Sequence, residues 1–346
     1  MTSVVQSSME QGSRVQSSMV GRSRERSSMV GRSRERRIAV DQFRGFAVLL
    51  MLPANYLEHI RAVPAWLKHA PDIGLTVVDF IAPLFVFAIG LTFGTSVRRR
   101  LSRDGWQPAL EHVTKRAMAL LGIGMLFSIG ESCAGYNAHG ILWGTLQAIG
   151  AAIMLSLPLL WVPVAIRLPI AVGLAGAYQW ALDHFWLEIV LMSSHAGIQG
   201  SLSWAALLLF ATIYADLQSA PRKYLGLAVL MVGAGLALSP LFPISKHRMS
   251  ISFDLVISGA SALLFRLFER LEARDLRAPW LSAWGRNPLA LYISHLILLS
   301  VFLVPSVPWW HVEAPLWLAA VQGVVFVGVL HRWARFLEAR GIFVSL

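Results

Sequence analysis

Cysteine occurs once in this sequence, at Cys133, so no internal disulfide can form, and no Cys/His spacing matches a zinc or haem site. No structural metal is expected. Charge is scarce as well: 14% of the 346 residues are charged, against 56% hydrophobic. That apolar content exceeds what one soluble core can hide and leaves no soluble domain of useful size. The expected class is therefore an all-α polytopic membrane protein. Acidic residues are outnumbered, 19 to 30, for a net charge of +11. The excess does not point to nucleic acid, because the basic residues sit in short segments between apolar runs, as cytoplasmic loops do.

Large apolar residues are nearly missing from residues 1–37. There SSMVGRSRER stands at 17–26 and again at 27–36, with a further Ser-Ser-Met at 7–9. Such a segment cannot build a core and is expected to be a disordered, basic cytoplasmic tail. It lacks the apolar region of a cleavable signal peptide, and contact with anionic lipid fits its charge.

From Arg37 onward about ten stretches approach the roughly 20 apolar residues a bilayer demands. They lie near 38–57, 73–97, 115–131, 140–160, 166–182, 199–216, 223–240, 249–268, 285–304 and 315–335. With the amino terminus inside, the loops holding Arg98–Arg100, Lys115, Arg222, Arg274 and Arg332 fall inside. Arg61, Lys68, Lys246 and Arg248 fall outside. This asymmetry obeys the positive-inside rule and predicts both termini cytoplasmic, in a multi-pass protein of the plasma (inner) membrane.

His69 to Gly94 organises the rest. It opens as a polar, proline-bearing loop and runs into an apolar span that carries Asp79. A carboxylate inside a span is a functional hypothesis by default. Other polar residues fall within the apolar stretches. Asp41 and Arg44 share a helix face, and Asn55 follows Pro53, where a kink opens room for a ligand. Gln147, Asp254, Asn287 and His295 could be interhelical glue or chemistry. His59, His139, His184, His195, His247 and His311 read as loop residues on the outer side.

The run RIAVDQFRGFAVLLMLPANY (37–56), followed by HAPDIGLTVVDFIAPLFVFAIGLTFGTS (69–96), resembles the catalytic domain of the heparan-alpha-glucosaminide N-acetyltransferase family. That family's pattern is roughly S-x-D-x-x-R-G, then Asn, then H-A-x-W-x-G-x-T-x-x-D, then P-x-F-x-F-x-x-G. Weaker echoes follow at Gly144–Gln147, Pro243–Lys246 and Gly285–His295; Asp72 stands where the family has tryptophan, and Ala148 where it has a basic residue. The resemblance covers most of residues 38–346 and implies one transmembrane acyltransferase domain. It would move an acetyl group from cytoplasmic acetyl-CoA to an amino sugar or glycan on the outer side. It implies His69 as the catalytic histidine, with Asn55 and Asp79 supporting. Asp41, Arg44, Gln147, Asn287 and His295 are implied on the donor side.

Arg98, Arg99 and Arg100, with Arg103, Lys115 and Arg116, offer positive potential for the phosphates of coenzyme A. Partners of such a protein are the bilayer, the acceptor and, in a homodimer, a second copy. A different class also suits the polar residues: a secondary transporter or flippase with a proton-coupled site at Asp79, Asp254 and His295. One polar tunnel joining the arginine loop to His69 would favour the enzyme. A closed midplane pocket would favour transport.

Overall fold

The computed structural model describes residues 38–133, 142–193, 195–276, 278–303, 305 and 307–344. The basic repeat tail, 1–37, and His139 lie outside them. Among the described residues each of the ten apolar stretches is mostly helical, because a backbone in lipid has to satisfy its own N–H and C=O groups. The helices are α1 (38–57), α2 (Ile81–Asp104), α3 (Trp106–Cys133), α4 (Thr145–Ser156), α5 (Val164–Ala181) and the short α6 (Leu187–Leu191). They continue with α7 (Ser201–Leu217), α8 (Pro221–Leu238), α9 (Ile251–Ala273), α10 (Pro279–Arg286), α11 (Pro288–Leu303) and α12 (Leu316–Ala339). Among the described residues the only strand-like pairing is an isolated parallel bridge between Gly74 and Ser245.

Among the described residues five helices are long and apolar enough to cross a membrane: α2 with its entry turn from Val78, α3, α8, α9 and α12. They become six if α10 and α11, bent by 82°, form one broken span. The expected count of about ten would require α1, α4, α5 and α7 as well. Of these, α4 runs for only 12 residues and α7 for 17, while Asp41 and Arg44 in α1 and Arg167 in α5 dilute their apolarity. Leu126, Val229, Leu230, Trp317 and Val324 stand exposed on outward faces, more apolar surface than a monomer in water tolerates. This is a multi-pass membrane protein.

Helix α7 is the axis of the larger group. Its residues Ser203 to Tyr214 are all buried, and α2, α4, α5 and α9 pack round it. A second group joins α10 and α11 to α12. Helix α1 lies between the two. Phe43 meets Phe265 and Phe268 of α9 edge-on, with ring centroids 5.4 and 5.7 Å apart, while Leu52 and Tyr56 pack with Trp284 of α10 and Phe326 of α12.

Glycine permits the closest crossing. A Cβ on Gly285 would stand 1.8 Å from the Asp41 carbonyl oxygen, and one on Gly45 would stand 1.9 Å from that of Leu281. Helices α1 and α10 therefore touch backbone to backbone. At the bend after α10, Asn287 is fully buried. Its Nδ2 donates to the Ile342 carbonyl at 3.0 Å and its Oδ1 accepts from Val344 N at 2.9 Å, which ties down the C-terminal segment.

Candidate active site

A cavity of about 1230 Å³ lies between the two groups. It exceeds the roughly 300–1,000 Å³ typical of pockets for drug-sized ligands, so it suits a long molecule. Helix α1 lines it with Asp41, Arg44, Val48, Met51 and Asn55, spaced three or four apart as one helical face, and Glu58 continues the row in the turn that follows. Helix α2 lines it from Ile81 through Phe85 and Ile89 to Arg99 and Arg100. At about 1.5 Å per residue, Ile81 to Arg99 covers about 27 Å, close to the thickness of a bilayer's hydrocarbon core. Each end has its own chemistry.

One end is cationic. Arg44, Arg99, Arg100, Arg116 and Arg286 line it together with Asp41. Asp41 lies 3.6 Å from Arg44 and 3.9 Å from Arg286, and Arg286 also reaches Glu338 at 3.2 Å. Guanidinium groups present planar forks of donors, the geometry phosphate oxygens accept best. The middle is apolar, through Phe85, Ile89, Leu120, Ile149 and Leu296.

The other end holds a histidine–aspartate pair. His69 Nδ1 lies 2.8 Å from Asp79 Oδ1, and the Asp79 side chain is wholly buried where the loop turns into α2. Asp79 Oδ2 accepts from Thr76 N at 2.9 Å and Ala70 N at 3.3 Å, with the Thr76 hydroxyl at 3.0 Å. The carboxylate therefore folds its own approach loop and orients the imidazole in one step. With Nδ1 engaged, Nε2 is the nitrogen left for chemistry. His69 N also donates to Glu58 Oε2 at 3.2 Å, which joins the loop to the end of α1.

Asn55 lines the cavity one turn before Glu58, and its Nδ2 donates to the buried His295 Nε2 at 2.9 Å. The second amide proton stays available to an oxygen in the cavity.

Not every expected residue reaches this space. Arg98 turns to Asp216, 2.9 Å away, a carboxylate that also pairs with the buried Arg167. Gln147 is buried at the start of α4, where its Oε1 accepts from Gly144 N at 3.1 Å. Asn287 holds the C-terminal segment, and His295 stands behind Asn55. None of these four lines the cavity.

Further residues line it: His59 and His195, expected only as loop residues, Glu58, and Lys246, the last residue of the Pro243–Lys246 echo. His195 Nε2 lies 2.9 Å from Thr145 Oγ1; burial, reinforced by the charge of Lys246, holds its imidazole well below the ordinary value and so neutral at pH 7. Glu58 could have been found from its spacing to Asn55. For His195 no local signal exists.

The loop carrying Lys246 is fastened to the loop carrying His69. Gly74 N donates to the Ile244 carbonyl at 2.8 Å, Ser245 Oγ to Asp72 Oδ1 at 3.1 Å, and both Arg248 Nε and Nη2 to the Asp72 carboxylate, the former at 2.8 Å. Arg248 holds the Asp72 carboxyl below the usual carboxylate range. Asp72, where the chain departs from the family pattern, is thus one half of an ion pair.

A family model described as heparan-alpha-glucosaminide N-acetyltransferase, catalytic, matches residues 36–208, half of the chain. The chain belongs to that family. The match contains Asn55, His69, Asp79 and the Arg98–Arg100 run, whereas Lys246, Arg286 and His295 come from beyond it and are added by the fold. Membership places the protein among transmembrane acetyltransferases. No match was found among curated proteins.

Proposed function

We propose that the protein transfers an acetyl group from acetyl-CoA, held at the arginine-rich end of the cavity, to the amine of an amino sugar or glycan at the His69 end. The observation that carries this reading is the continuity of one cavity from Arg99, Arg100 and Arg116 to His69. The phosphates of the donor would lie among the guanidinium groups, and its uncharged pantetheine arm would run along the apolar middle. That puts the thioester beside His69. Acetyl-CoA acts as a co-substrate in this reading, and no metal takes part.

At the reacting end, Asp79 holds the proton of His69 on Nδ1 and leaves the Nε2 lone pair free. Nε2 removes the proton from the amine as it attacks the carbonyl, or takes the acetyl group itself and passes it on. Incubating the enzyme with labelled donor alone separates the two routes, since only the second leaves a labelled protein. Asn55 would donate to the oxygen that gains charge.

The orientation we propose puts the arginine-rich end and both termini in the cytoplasm, with ten crossings once α1, α4, α5 and α7 are counted. The distribution of Lys and Arg supports it. The transporter reading is weakened by geometry, because its three residues have separate partners: Asp79 has His69, Asp254 has Ser203 at 2.5 Å, and His295 has Asn55. Purified protein given acetyl-CoA and a panel of amino sugars tests the proposal. Release of free coenzyme A matched by an acetylated sugar is expected, and no transfer to any acceptor would sink it.

A further inference from the structure

The histidine end holds a buried cation to which the chemistry above gives no task. Lys246 is 7% exposed and lines the cavity, yet its ammonium group makes no hydrogen bond or ion pair with any described residue. Burying an ammonium without a partner is costly, because its charge and its three N–H donors go unsatisfied. Two carboxylates, Asp79 and Glu58, act on it from a distance and partly offset the burial. Neither closes on it in the structure. Asp79 is taken up by His69, Thr76 and Ala70, and Glu58 Oε2 accepts from His69 N.

The position of Lys246 is not incidental either. Its loop is fixed to the His69 loop by the Gly74 to Ile244 hydrogen bond and by the Asp72–Arg248 pair. A cation held still, buried, unpaired and open to a cavity is arranged for an anion that arrives there.

We infer that Lys246 receives an anionic oxygen in front of His69, either the thioester oxygen as its carbonyl turns tetrahedral or an acidic substituent of the acceptor. The inference rests on the acyl-transfer reading. In the first case the amine nitrogen bonds to the carbonyl carbon, and the carbonyl π pair moves to oxygen beside Lys246. His69 Nε2 takes the ammonium proton. The carbon–sulfur bond then breaks, and the departing thiolate takes that proton from His69. Lys246 stays protonated throughout.

Its protonation gives the inference a signature. Burial lowers the Lys246 ammonium to about 8, so it is charged at pH 7 and loses its proton as pH rises through about 8. The titratable groups facing it are Asp79, Glu58, His69 and His195, with His247 and the Asp72–Arg248 pair on its own side.

The experiment uses the full chain purified in detergent, as wild type, Lys246→Met, Lys246→Gln and Lys246→Arg. Acetyl-CoA is the donor; glucosamine and its 6-O-sulfate are the acceptors; kcat and KM are followed from about pH 6 to about pH 9.5, across the ordinary histidine range and past the lowered lysine. Retained acetyl-CoA binding, measured separately, certifies that each variant is folded.

If the thioester oxygen is the partner, both neutral variants lose about 100-fold in kcat with either acceptor. The arginine variant keeps most of the rate and moves the alkaline fall upward. If the partner is an acidic substituent, the neutral variants keep kcat and lose only the wild type's lower KM for the sulfated sugar. Either result upholds the inference. Neutral variants with wild-type kcat, KM and alkaline limb on both acceptors overturn it and leave the acyl-transfer reading standing. A wild type that acetylates neither these sugars nor the wider panel removes the reading and the inference together.

Discussion

At the scale of single residues, the site turns on which nitrogen of His69 is engaged. Asp79 takes Nδ1 at 2.8 Å, and three further donors keep that carboxylate in place. His69→Ala should therefore leave a folded protein that binds donor but transfers about 10²- to 10⁴-fold more slowly, the contribution of a positioned acid–base group. Asp79→Asn should lose a comparable factor by a different route. An amide can present its NH₂ to Nδ1 and turn the imidazole to the wrong tautomer. Asn55→Ala should cost about 10²- to 10³-fold in kcat with little change in donor binding. Steady-state kinetics on the three variants, beside a direct binding measurement with acetyl-CoA, make the comparison. Wild-type turnover in His69→Ala would remove this residue from the chemistry.

Among the elements, the crossing of α1 and α10 decides the shape of the arginine-rich end. Gly45 and Gly285 let Asp41, Arg44 and Arg286 meet across it, and the nearest atoms are helix backbone, which cannot turn aside as a side chain can. Gly285→Ala should force the helices apart. It is expected to cost about 1–3 kcal/mol, as overpacking does, and to raise KM for the donor more than it lowers kcat. A thermal midpoint and a donor KM equal to those of the wild type would show that the crossing has slack.

The tether between the His69 and Lys246 loops should behave in the opposite way. Asp72→Ala removes the partner of Arg248 and Ser245, so kcat should fall while donor KM stays put. A raised donor KM with intact kcat would place the tether at the wrong end of the cavity. The tether has a pH dependence as well. Because Arg248 lowers the Asp72 carboxyl, the pair contributes above the ordinary carboxylate value of about 3.9 and is lost only as pH falls below it.

Over the whole molecule, the cavity separates a cationic end from a histidine end by about the depth of a bilayer's apolar core. The arginines of the run 98–100 then divide by direction rather than by sequence. Arg99 and Arg100 line the cavity, whereas Arg98 is paired with Asp216. Replacing Arg99 and Arg100 by Gln should raise donor KM severalfold, with expression and kcat nearly unchanged. Arg98→Gln should instead lower thermal stability and leave donor KM alone. Equal effects on KM from both changes would mean that the phosphates bind outside this cavity.

The sequence by itself determined what depends on composition and on short spacing. Too few charges and too many apolar residues for water made the chain an all-helical membrane protein. The cavity face of α1 could be read from its period, since Asp41, Arg44 and Asn55, with Glu58 just past the helix end, stand three, eleven and three residues apart, close to whole turns. The His69–Asp79 pair is equally local, because ten residues of loop and turn bring the two together. Tertiary structure decided the rest. The Asn55–His295 bond joins residues 240 positions apart, and the Asp72–Arg248 pair joins residues 176 apart. Nothing in the local sequence encodes such distances, which arise when helices choose their neighbours by packing. The same holds for Arg98, Gln147 and Asn287, whose residue types suit a ligand as well as a structural bond. Only the direction of each side chain separates the two roles, and that direction is set by the helix against which it packs.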